Sequence, residues 1–61
     1  MKYKHYKGAI YIVVTENATN SETGERIVIY KSASGAMWVR PYDMFHGLTA
    51  YGVKRFEWMG Q

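Results

Sequence analysis

The sequence has no cysteine and a single proline, Pro41, and these two shortages exclude more than its abundant residues do. Without thiols, neither disulfides nor cysteine-ligated zinc can brace a 61-residue chain, and thiol usage says nothing about its redox compartment. A chain of this length buries only about 60% of the surface its unfolded form exposes, so its stability must come from one thin core or from association. No segment approaches the roughly 18 consecutive apolar residues of a membrane span. The longest apolar run is Ala9-Ile10-Tyr11-Ile12-Val13-Val14. It is rich in β-branched residues and lacks a following small-residue cleavage site, so it does not read as a signal peptide. The expected location is cytoplasmic, with no membrane partner. Glycines 8, 24, 35, 47, 52 and 60 are scattered singly, which leaves no glycine-rich phosphate loop.

What is present is an aromatic load of ten residues (six Tyr, two Trp and two Phe) and a positive balance of eight Lys/Arg against five Asp/Glu. A net charge of +3 favours anionic partners only weakly, because many small soluble domains carry as much. The distribution is more informative. Lys2, Lys4 and Lys7 alternate with Tyr3, His5 and Tyr6, whereas Glu16, Glu22 and Glu25 fall in the next stretch, making the N-terminus the basic end.

Helical periodicity is almost absent, while β-branched and aromatic runs recur between turn clusters. Residues 9–15 read as a central strand, since Ile10, Ile12 and Val14 alternate with Ala9, Tyr11 and Val13 and both faces are apolar. The polar stretch 16–25 reads as a hairpin loop with frayed strand ends, built from Asx- and ST-turn formers plus Gly24. Arg26-Ile27-Val28-Ile29-Tyr30 is the next strand, Ser32-Ala33-Ser34-Gly35 a turn, and Met37-Trp38-Val39-Arg40 a third strand closed by Pro41. Pro41-Tyr42-Asp43-Met44-Phe45 fits one helical turn stopped at His46-Gly47. Residues 53–59 alternate as a fourth strand, with Lys54, Phe56 and Trp58 opposite Val53, Arg55, Glu57 and Met59, and residues 3–7 offer a short pairing partner. Such strands must hide their edges, so the expected fold is all-β, a small SH3-like barrel of four to five short strands with one short helical turn near residues 41–46 and a single domain over 1–61.

Few residues suggest catalysis. Asp43 and His46 lie three apart on the helical turn, yet Asp43 as a cap and His46 at the C-terminal end explain the spacing without a metal. Ser21, Ser32 and Ser34 sit in turns far from either histidine, and a barrel this small has little room for a closed pocket around His5 or His46. No catalytic residue, metal or cofactor is assigned. The remaining signal is aromatic residues interleaved with basic ones, in Tyr3-Lys4-His5-Tyr6-Lys7, in Trp38-Val39-Arg40 and in Arg55-Phe56-Glu57-Trp58. Such interleaving suits base stacking beside phosphate contacts. Tyr11, Tyr30, Trp38 and Phe56 are equally the natural core, and Arg40, two residues after Trp38 on the same strand face, suits either a cation–π pair or a ligand clamp.

In this order and spacing, His5-Tyr6-Lys7-Gly8, Tyr11 with Val13, Ser21-Glu22-Thr23 with Glu25, Val28 with Tyr30, Trp38-Val39-Arg40-Pro41, Met44-Phe45 and Arg55-Phe56 resemble the small bacterial and phage domain of unknown function 1653 family. The resemblance spans nearly the whole chain. It departs at Asn20, where the family usually has His, and in a short loop before Trp38. It implies a compact β-barrel-like fold and a bacterial or phage origin, and it supplies no activity. It also marks polar positions that a core does not demand. In one account Glu22 or Glu25 pairs with Arg40 or Lys7 across the barrel while Ser21 and Thr23 close the turn. In the other, donors ring Tyr6 and Trp38 to receive an anionic or peptide-like ligand.

The leading expectation is a non-catalytic binding module in which His5, Tyr6, Lys7, Trp38, Arg40 and Arg55 form a basic aromatic patch for nucleic acid or a nucleotide-like anion. The rival is a protein-interaction module, a phage-type regulator or inhibitor or a self-associating subunit forming a homo-oligomer. Its motive is the apolar excess at Met37, Met44, Phe45, Trp58 and Met59, more than so thin a core can hide.

Overall fold

The computed structural model describes residues 1–60 and contains five strands and one short helix: β1 (Lys2–His5), β2 (Ile10–Thr19), β3 (Arg26–Ser32), β4 (Met37–Pro41), α1 (Tyr42–Phe45) and β5 (Phe56–Trp58). The strands form one antiparallel sheet in the order β4-β3-β2-β1-β5, so β2 is its central strand and β4 and β5 are its edges. The all-β expectation with a single helical turn after Pro41 holds.

Each connection follows from local chemistry. Gly8 turns the chain from β1 to β2 with φ at +106°, and the His5 carbonyl accepts its N–H at 2.8 Å. Between β2 and β3, the Asn20 side-chain oxygen accepts the N–H groups of Glu22 and Thr23, and the Thr23 hydroxyl accepts that of Glu25. This is the Asx and ST chemistry that the polar stretch leads one to expect. β2 runs on to Thr19, beyond the expected residue 15, because two bulges, between Val13 and Thr15 and between Thr15 and Ala18, let its polar end stay paired with β3. β5 is shorter than expected. Residues 53–55 belong to a small return loop in which Leu48 bridges Lys54 and the buried Thr49 hydroxyl accepts the N–H groups of Tyr51 and Val53. Gly47 is required where that loop leaves α1, since a Cβ there would lie 2.7 Å from the Asp43 carbonyl oxygen.

The sheet is rolled. Tyr30 on β3 and Phe56 on β5 are three strand spacings apart, about 14 Å on a flat sheet, yet their rings lie 5.3 Å apart. Phe45 of α1 fills the roll. It stacks on Phe56 at 4.1 Å and meets Tyr3 and Tyr30 edge-on or tilted at 5.2 and 5.3 Å. With Val13 and Val28 these side chains form the buried core, and Tyr11 and Tyr42 pack against it. Burial of a side chain of this size contributes about 1.5–3 kcal/mol.

Two expectations change and one alternative is decided. Phe45 is not apolar excess but the fully buried centre of the core, because the helical turn folds it back over the sheet. Of the two readings of Trp38, core or patch, the core one fails, since it remains 52% exposed. The central strand is not covered on both sides, since Ile10, Ile12 and Val14 on its outer face are exposed.

Candidate functional site

Two clusters of polar side chains flank the aromatic core. The first is built where β1 ends. The His5 Nδ1 accepts the Lys7 N–H at 3.1 Å, which leaves the proton of the neutral ring on Nε2. The ring packs edge-on against Phe56 at 5.0 Å and is covered by Tyr6 at 4.5 Å. Burial, followed by the charges of Arg40, Lys7 and Arg55, holds the His5 imidazole below its ordinary pKa.

Arg40 reaches this region from β4, and its Nε donates to the Tyr30 hydroxyl at 3.1 Å. Its Nη1 lies 3.4 Å from the Met44 sulfur. Arg55 arrives from the bend before β5. Its N–H donates to the Gly47 carbonyl at 3.1 Å and its own carbonyl accepts the Tyr6 N–H at 3.0 Å. These bonds pin the backbone while the side-chain Nε is buried without a hydrogen-bond partner. A buried guanidinium N–H left unpaired is costly, so this is the least satisfied polar group of the cluster.

The six residues expected to form a patch are therefore joined unequally. His5, Lys7, Arg40 and Arg55 make one electrostatic set, and Tyr6 belongs to it through its ring contact with His5 and the Lys7 ammonium 5.8 Å from its ring centre. Trp38 lies opposite Tyr30 in the β3–β4 register and makes no ring or cation–π contact among the described residues. Arg40 engages Tyr30, and of the two alternatives for Arg40 and Trp38 the cation–π pair is not formed. Beside His5 and Tyr6 opens a shallow cleft of about 330 Å³, also lined by Lys4, Val53, Lys54 and Glu57. Lys54 is a cation that sequence reasoning missed, since the alternation places it on a strand face and not at the mouth of a cleft.

The second cluster was not legible. Glu16, in the second bulge of β2, meets the His46 ring 30 residues away, with Oε1 2.5 Å from Nε2. Arg26 donates from Nε to the Glu16 carbonyl at 2.7 Å and from Nη2 to the Asn17 side chain at 3.0 Å, while its guanidinium lies 3.8 Å from the Tyr42 ring centre. Burial, then the charges of Glu16 and Tyr42, push the Tyr3 phenol above its ordinary pKa. Here the structure corrects the sequence reading. Asp43 is exposed and caps nothing, because Pro41 is the N-cap and has no side-chain hydrogen bond to give. Neither Glu22 nor Glu25 pairs with Arg40 or Lys7: the one ion pair among the described residues is His46–Glu16. No group of three or more metal-ligating side chains occurs among the described residues, and no helix is long and apolar enough to cross a membrane.

No curated protein and no solved structure matches the chain. A family model described as a protein of unknown function, DUF1653, matches residues 1–58, and the chain belongs to that family.

Proposed function

We propose that this chain is a non-catalytic module that binds a nucleotide-like anion, including the phosphates of single-stranded nucleic acid, at the cationic end of the rolled sheet. The observation that carries the reading is the convergence of the Arg40, Lys7 and Arg55 charges on His5, beside a cleft also lined by Lys4, Tyr6 and Lys54. An incoming phosphate would offset these charges, and charge-assisted hydrogen bonds to it are about twice as strong as neutral ones. Arg40 and Lys7 supply further positive charge, and the neutral His5 offers its Nε2–H. Tyr6 and the free face of Trp38 supply surfaces on which a base can stack, at about 1–3 kcal/mol each.

The test is a salt titration with single-stranded DNA, RNA and free nucleotide. Three fixed cations predict that log K falls against log salt with a slope no steeper than about −2 for a single strand. The double variant Arg40→Ala with Lys7→Ala is expected to lose at least tenfold in affinity at low salt. Failure of all three ligands to bind at low salt, or binding that survives the double variant, removes the reading.

A further inference from the structure

The outer face of the sheet is chemically the reverse of the inner one. Every aromatic side chain of a strand, from Tyr3 and Tyr11 to Tyr30, Trp38, Phe56 and Trp58, falls on the inner face by register. The outer face is aliphatic along β2 and β4, with Lys2, Lys4, Lys31 and Glu57 set among those side chains. Ile10, Ile12 and Val14 on β2 and Met37 and Val39 on β4 are each at least 40% exposed, and Ile29 between them is half-buried. A sheet that is apolar on both faces calls for a layer on each. Phe45 and its helix cover one side, and no element among the described residues covers the other. Contiguous apolar surface of this kind marks an interaction site more often than scattered single residues do.

Charge narrows the occupant. Ile12 lies in one row between Lys2 on β1 and Lys31 on β3, with Met37 beyond, and the next row carries Lys4 beside Ile10. Glu57, opposite Lys4, is the single carboxylate in these rows. A second copy placed face to face would set lysines against lysines. A bilayer interface would favour Trp and Tyr at the contact, and this face has neither. The shape narrows it further. Ile10, Ile12 and Val14 run along β2 up to its first bulge, a span of about 13 Å. That is the length of about nine residues of α-helix. We infer that the outer face is a docking surface for an amphipathic helix of a partner protein, one whose aliphatic stripe is flanked by Asp or Glu. This surface lies on the opposite side of the sheet from the cationic set, so either assignment can fail while the other stands.

The experiment titrates the isotope-labelled chain with a synthetic amphipathic peptide bearing a leucine stripe flanked by Glu, and with the same peptide carrying Lys for Glu. The acidic peptide is expected to shift the backbone amides of Ile10, Ile12, Val14 and Val39, and the lysine peptide to bind at least tenfold more weakly. Lys2→Glu with Lys31→Glu should reverse that order, and Ile12→Ser with Val39→Ser should abolish binding of the acidic peptide. If the serine variant unfolds, the charge reversal alone decides. The inference is overturned if the acidic peptide leaves those amides unmoved or if the two peptides bind equally. It is also overturned if the face is taken instead by a second copy, seen as a doubled mass by light scattering, or by phosphatidylserine vesicles in place of the peptide.

Discussion

The two histidines make an instructive pair, because each sits at the edge of the same aromatic core and each meets the opposite electrostatic company. His46 has a carboxylate against its ring, and the neighbouring Arg26 spends its donors on Glu16 and Asn17 while lying over Tyr42. His5 has three cations acting on its ring and no ion-pair partner, with Glu57 only across the adjoining cleft, and beside it an arginine N–H is buried unpaired. Both clusters contain a histidine, an arginine and a tyrosine. A set of charges that closes on itself holds the fold, whereas a set that is left open holds the fold poorly and is suited to something that arrives from outside.

The largest expected effect removes what separates the two. Phe45 touches His46 at 5.1 Å on one side and Phe56, the ring behind His5, at 4.1 Å on the other. Phe45→Ala should cost about 3–5 kcal/mol, a large fraction of the stability of so small a domain. Urea denaturation followed by far-UV circular dichroism measures it, and a loss below 1 kcal/mol would mean that Phe45 is not the centre of the core. Next in size is Glu16→Ala, expected to cost about 1–3 kcal/mol by leaving a half-buried imidazole without its partner, yet to leave anion affinity within twofold. Arg40→Ala should do the reverse, weakening anion binding several-fold with a smaller change in melting temperature. If both substitutions moved stability alone, the contrast between a closed and an open cluster would collapse.

The smallest effect is read at His5 itself. Its folded-state pKa lies below the unfolded value, so between the two pKa values the unfolded chain binds more protons and stability rises with pH. The contribution is complete above the ordinary histidine pKa and is lost as pH falls through the depressed value. Imidazole resonances followed by NMR should place the His5 midpoint below 6.5, the ordinary histidine value. A saturating phosphate ligand should move that midpoint upward, because a bound anion offsets the three cations. A midpoint indifferent to ligand would separate His5 from the binding site.

Much of the fold is legible in the sequence, and the reasons are local. Alternation marks β2 and β3, Asn20 to Gly24 carries turn chemistry, and Pro41 after an extended run predicts where the strand stops and the helical turn starts. What escapes is whatever depends on contact across the sheet. Strict alternation cannot show the two bulges of β2, and without them nothing indicates that Glu16 points at His46. Phe45 reads as surplus because a four-residue helix gives too short a pattern to show which way it folds. The cationic half of the candidate site is legible from aromatic and basic interleaving. The burial of the Arg55 Nε is not, because it depends on a bend that breaks the alternation just before β5.

Pro41 has a consequence for the protein in concentrated solution. β4 is an open edge, and Met37, Trp38 and Val39 form an apolar, β-prone stretch of the sort along which chains stack into aggregates. The charge of Arg40 and the missing N–H of Pro41 stand directly after it, so a foreign strand finds no ladder to climb beyond that point. The residue that starts the helix is thus also a gatekeeper of solubility.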